Sequence, residues 1–184
     1  MYPRFLDPAY AEEFMVAGKP VEIPRCRIQF KPWLGQAVKE TFGGKPIVFT
    51  DDEPMFAEMA VLRHYLNNGW DGRWLVTTGR LGKEPVYLRE WKDDKFATQL
   101  NEPVDDKLAQ QVLTGMAKQN KACYNGCWDL LCWKDDTVVF TRVVRNNKDN
   151  ISPANNAWLI AGLALGLQPD NFLIAQWDFN PRCA

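Results

Sequence analysis

The chain of 184 residues contains a single histidine and no surplus of either charge sign, with 22 Lys and Arg against 23 Asp and Glu. One histidine, His64, excludes His-rich metal sites. Zinc would then need four thiolates from Cys26, Cys123, Cys127, Cys132 and Cys183, and their gaps are not those of a C-x2-C knuckle. Charge balance excludes the broadly basic surface that holds nucleic acid by counterion release, so any such site must be a local patch. No run approaches the ~20 apolar residues of a membrane helix, and the first residues lack the basic-then-apolar plan of a secretory signal. An odd cysteine count without such a signal favours reduced thiols. HExxH and GxSxG are absent, and Gly43-Gly44-Lys45 lacks the first glycine of a phosphate loop. The expectation is a soluble, cytoplasmic protein with no membrane partner.

What is present is bulky apolar material. Eight Trp and ten Phe supply a core, and a domain of this size buries roughly 70 % of the surface its unfolded chain exposes. Cys127 and Cys132 are expected to be small apolar fillers around a buried strand. Prolines 3, 8, 20, 24, 32 and 46 break residues 1–50 into short pieces. There the pattern predicts a helix over 8–16, an extended edge segment over 21–30 and a second short helix over 32–42. A strand over 47–49 follows, and the whole forms an arm packed on a main domain of residues 51–184.

From Asp51 the periodicity sharpens. Acids 51–53 and Pro54 suit a helix start, and Met55, Met59, Leu62 and Leu66 form one apolar stripe. Strands over 73–78 and 85–91 follow, joined by a turn at 79–82; a polar turn over 92–95 leads to a helix from Val104 to about Asn120. The runs 128–133 and 137–144 form a hairpin through Lys134-Asp135-Asp136. Ser152-Pro153 opens the last helix, and Phe172 to Trp177 makes the last strand. The fold class is therefore α/β: a mixed central sheet of about five or six strands flanked by helices, in the order αββαββαβ after the N-terminal arm.

Two acids stand out. Asp129 is one carboxylate in the apolar run Trp128-Asp129-Leu130-Leu131-Cys132-Trp133. It either meets a cation, metal or hydrogen-bond donors, or closes a turn at the strand's exposed end. Glu58 lies on the flank of its helix stripe, facing either the sheet edge or a solvated partner such as Arg63 or a nearby lysine. Arg142, Arg145 and Lys148, with Asn146, Asn147 and Asn150, make a basic, amide-rich strip, read either as phosphate contacts or as a solvated loop. Trp70 and Trp74 beside Arg73 are weighed as a stacking surface, and His64 has no nucleophile at catalytic spacing.

A helix glutamate (Glu58), Gly69-Trp70, Gly126-Cys127-Trp128-Asp129-Leu130, a hairpin, Lys148-Asp149-Asn150-Ile151 and the helix opening Pro153-Ala154-Asn155-Asn156-Ala157-Trp158-Leu159 occur in that order. This set, over about two thirds of the chain, resembles the VRR-NUC-like branch of the PD-(D/E)xK nuclease superfamily. The resemblance implies a restriction-endonuclease-like fold and Mg²⁺-dependent phosphodiester hydrolysis, with Glu58 and Asp129 as catalytic and metal-holding acids.

The same alignment puts Arg142 and Val144 at the glutamate and lysine of the E-x-K motif, and Asn155 at a helix glutamine. An arginine beside Asp129 would take the metal's place. The expectation is a nuclease-fold protein with a degenerate metal site. It would be a catalytically inactive module for nucleic-acid binding or scaffolding that uses Arg142, Arg145, Lys148 and Asn155, with no resident cofactor. Its nucleic-acid partner would be DNA or RNA. One alternative is an active DNA endonuclease or exonuclease dependent on Mg²⁺ or Mn²⁺, with Arg145 or Lys148 as the borrowed cation. Another is a protein–protein interaction module or homo-oligomer using exposed tryptophans.

Overall fold

Three tight turns set the registers on which the architecture rests. In the computed structural model, which describes residues 2–77, 83–92 and 94–180, Ala17 and Gly18 both have positive φ, 49° and 79°. They join strand β1 (Tyr10–Val16) to β2 (Lys19–Pro32) as a two-residue hairpin loop. Asp51 and Asp52, at φ 51° and 60°, do the same for β3 (Ile47–Thr50) and β4 (Glu53–Phe56). Asp135-Asp136 joins β7 (Leu130–Lys134) to β8 (Thr137–Arg145), fixing Lys134 opposite Thr137.

These hairpins correct the expectations for the N-terminal region. Residues 8–16 are not a helix, because pairing with β2 outweighs the helix propensity of Glu12, Glu13 and Met15. The expected edge over 21–30 holds only up to Pro24, where β1 is the one partner among the described residues. From Arg25 to Phe30, β2 runs parallel to β9 (Phe172–Phe179), and Pro24 lies one residue before that ladder begins. Residues 32–42 form no helix: Leu34 is 82 % exposed, so no apolar face is there to be buried, and Trp33 Nε1 donates locally to Gln36 O at 2.7 Å. Residues 51–54 make the hairpin turn and the start of β4, so helix α1 (Ala57–Leu66) begins three residues beyond the expected proline.

After β4 the order is α1, β5 (Asp71–Val76), β6 (Val86–Leu88), α2 (Lys107–Gln119), β7, β8, α3 (Pro153–Ala164) and β9. That is the expected αββαββαβ, and the α/β fold class holds. Among the described residues the sheet is larger than expected, with nine strands in the order β4-β3-β2-β9-β8-β7-β5-β6 and β1 paired to β2. Residues before α1 supply four of them. The expected turn at 79–82, and Asp93 and Cys183, lie outside the described residues.

Alternation along β8 and β9 divides the interior in two. Val139, Val143, Leu173, Ala175 and Trp177 pack against Met59, Leu62 and Tyr65 of α1. Phe140, Val144, Phe172 and Ile174 pack against Leu113 and Met116 of α2 and Trp158 and Leu159 of α3. Cys132 and Cys127 are buried in the first and second of these cores respectively. Among the described residues no helix is long and apolar enough to cross a membrane.

Candidate functional site

The β7–β8 register, extended one residue past Leu130 opposite Thr141, sets Asp129 opposite Arg142. Arg142 Nη1 donates to Asp129 Oδ1 at 2.5 Å, and the backbone N–H of Val143 donates to Oδ2 at 2.7 Å. Both side chains are largely withdrawn from water, 13 % exposed for Asp129 and 22 % for Arg142. Asp129 raises the Arg142 pKa further above its ordinary value, against the opposing effect of burial. Asp129 therefore belongs to the first of its two expected settings: it meets a cation and a backbone donor.

Glu58 is buried on the first turn of α1, and its partner is Lys45. Arg63, expected as an alternative, pairs instead with Glu53 at 2.7 Å. Burial pushes the Glu58 carboxyl up, an effect that Lys45 opposes and the nearby Asp129 charge reinforces. Burial is also the largest single influence on Lys45 and disfavours its charge, but Glu58 and Asp129 together outweigh it and raise its pKa. The Lys45 ammonium lies 5.4 Å above the Trp74 ring. The partner is thus a lysine, as one expectation had it, but the pattern does not single out Lys45: it reaches Glu58 from a loop with positive φ at Phe42, Gly43 and Gly44, and no periodicity signals such an approach.

Two acids and two cations thus balance one another at the ends of the strands. A divalent ion does not fit this set. Each carboxylate already faces a side-chain cation, and a like charge at ~4 Å costs about 4 kcal/mol per unit charge at an effective dielectric near 20. Among the described residues no three His, Cys, Asp or Glu side chains converge as a ligand group.

The remaining expected site residues separate. Val144, at the motif's lysine position, is 2 % exposed in the core beneath α2 and α3 and takes no part in the site. One residue either side, β8 turns to the α1 face, where Val143, Arg145 and Lys148 line a cavity of about 220 Å³ with Lys45, Glu58 and Trp177. Asn155 does not reach out to bind a ligand. Its side chain closes the capping box of α3 with Ser152 and donates to Gly126 O at 3.0 Å.

Arg145 stacks over Trp177 and Phe179, at 5.4 and 4.8 Å, and its Nε lies 3.9 Å from Asp178. Asp149 accepts from the Arg145 N–H at 2.7 Å, which folds the loop so that Lys148 projects beside the cavity. Lys148 makes no side-chain hydrogen bond or ion pair among the described residues.

Other expected surfaces are internal. Trp70, Arg73 and Trp74 are all buried, so they offer no stacking platform. Six of the eight tryptophans are buried and Trp33 and Trp91 are half-buried, which removes the exposed tryptophans on which an interaction surface was to rest.

Fold and site together define an α/β protein with a cation-filled acidic centre at the carboxyl ends of its parallel strands. No family model, no curated protein and no solved structure matches the chain significantly.

Proposed function

We propose that the chain is a nuclease-fold protein of the VRR-NUC-like, PD-(D/E)xK type whose metal site has been replaced by side-chain cations, and that it binds nucleic acid in the cytoplasm without cleaving it. The observation that carries this reading is the 2.5 Å contact from Arg142 to Asp129, with a guanidinium where the resemblance requires an acid. Lys45 does the same to the second acid. The order of elements from α1 to β9 supports the fold comparison. The Arg145–Lys148 cavity is where a phosphate finds the Lys148 ammonium, unpaired among the described residues, beside Arg145, which Asp178 neutralises only in part from 3.9 Å. The four described cysteines are all free thiols, in keeping with a reducing compartment.

The test combines two assays on the full chain. Fluorescence anisotropy with labelled oligonucleotides should show binding that weakens steeply as salt rises. Incubation of the same oligonucleotides with Mg²⁺ or Mn²⁺ should give no cleavage beyond that of an Asp129→Asn control. Cleavage that disappears in this control would establish an active nuclease and overturn the proposal. Salt-insensitive self-association without oligonucleotide binding would instead support an interaction module.

A further inference from the structure

A second cavity, of about 460 Å³, opens on the opposite face of the same strand ends. Its lining includes Arg27 and Gln29 of β2, Gln176 and Asp178 of β9, and Asn146, which follows β8. Trp177 lines this cavity and also the one that holds Lys148. The two cavities therefore flank Trp177 on either side of the carboxyl end of β9.

The floor of the second cavity is a continuous chain of hydrogen bonds. Gln176 Oε1 accepts from Tyr10 Oη at 2.7 Å and from Arg25 Nε at 3.1 Å, its amide donates to Asn146, and Asn146 Nδ2 donates to Asp178 Oδ2 at 3.3 Å. Groups held this way are preorganised and lose little further freedom on binding. Arg27 is different. Its guanidinium lies over the Tyr10 ring at 4.7 Å and, among the described residues, meets no carboxylate. Gln29, two residues along the same face, makes no side-chain hydrogen bond among the described residues. The trough thus presents a fixed cation with its donor edges open, beside an amide that can serve a sugar or a base edge.

We infer that a single strand of nucleic acid passes around the strand ends, with one phosphate at Lys148 and Arg145 on the α1 face and another at Arg27 on the opposite face. This rests on the nucleic-acid reading above and adds a second contact surface and a preference for single strands. A ligand that reaches both cavities must turn around the edge of one sheet layer. A duplex has a persistence length of ~150 base pairs and pays several kcal/mol for sharp bends over a short site. A single strand follows the turn freely. Asp178, 46 % exposed at the trough, opposes a phosphate there and is offset in part by Arg145 at 3.9 Å.

The experiment is fluorescence anisotropy of the full chain with a labelled 12-nucleotide single strand of mixed sequence and with its duplex, each over a series of KCl concentrations. Thermal melts confirm that each variant is folded. The single strand should bind at least about tenfold more tightly than the duplex. Arg27→Ala and Lys148→Ala should each weaken it by about three- to tenfold and lower the slope of log K against log salt by ~0.7. Asp178→Asn should tighten binding by about two- to threefold. If Lys148→Ala weakens binding while Arg27→Ala leaves affinity and slope at the wild-type values, the trough is not part of the path and the inference fails while the binding reading stands. Equal affinity for duplex also overturns it. If neither form binds at low salt, both the inference and the binding reading fall.

Discussion

At Asp129 and Arg142 the cost of substitution depends on whether one partner or both are changed. Removing the guanidinium by Arg142→Met leaves a nearly buried carboxylate with only the Val143 N–H, where breaking a buried pair costs 3–5 kcal/mol in the general case. The residual exposure of both side chains puts the expected loss lower, at about 2–3 kcal/mol. The double variant Arg142→Met/Asp129→Asn should lose less than the single one, because the amide oxygen still accepts from Val143 and no charge is stranded. Urea unfolding of the wild type and the two variants measures this; a loss below ~0.5 kcal/mol for Arg142→Met would make the pair a solvent-screened surface contact.

His64 gives a second check at the same scale, because it is the only histidine and its ring resonance is unambiguous. It stacks on Phe5 at 3.7 Å, and burial lowers its pKa below 6.5 against a smaller opposite pull from Asp51. The unfolded chain therefore takes up the proton first. The contribution to stability is full above pH 6.5 and is lost as pH falls through the folded value. An NMR titration should place the midpoint below 6.5, and Phe5→Ala should move it back toward 6.5. A midpoint at or above 6.5 in the wild type would contradict the burial.

The Asp129–Arg142 pair was legible because a tight hairpin turn counts residues reliably on both sides. Lys45 was not, since nothing local ties a loop residue to a helix formed 12 positions later.

Elements differ in how much of their cause lies within them. Helices α1, α2 and α3 could be read because an amphipathic stripe or a capping sequence is local information, and Ser152-Pro153 does start α3 as expected. Strand β1 could not, since its Ala, Glu and Met residues favour helix and only the partner across the Ala17-Gly18 turn decides otherwise. The most constrained junction is between α3 and the loop that delivers Asp129. Gly126 sits at φ +79°, and a Cβ there would lie 2.0 Å from the carbonyl oxygen of Ala154 in the first turn of α3. Asn155 holds the Gly126 carbonyl, and Trp128 Nε1 donates to Asn155 O at 3.1 Å. Gly126→Ala combines left-handed strain with a backbone clash and should cost about 2–4 kcal/mol. Ser152→Ala, which removes only the cap, should cost about 1 kcal/mol. Thermal melts of the two variants test the order. If Gly126→Ala is the milder change, the close approach of loop and helix is not real.

At the scale of the whole molecule, the question is whether residues 51–184 can stand without what precedes them. The sequence pattern there completes an αββαββαβ unit, and an arm laid over its surface could be removed at modest cost. The sheet places β2 elsewhere, hydrogen-bonded along β9, so that removing it opens a parallel strand that lies in the middle of the sheet. An opened strand of this kind is an aggregation site. The interior changes too: Leu6, Ile28, Phe30 and Val48 belong to the core under α1, and Ile23 to the core under α2 and α3. At 1.5–3 kcal/mol for each fully buried large apolar side chain, those five represent roughly 8–15 kcal/mol, as much as the entire net stability of an ordinary domain. Lys45 leaves with them, which strands Glu58 as a buried carboxylate without its cation. A chain of residues 51–184 should therefore be insoluble or lack a cooperative thermal transition. Supplying residues 1–50 as a separate polypeptide should restore the transition only as far as β2 pairs with β9 in trans. A soluble 51–184 fragment with a sharp melt close to that of the full chain would mean that the two cores are complete without the first fifty residues, against the burial of Ile23, Ile28 and Phe30.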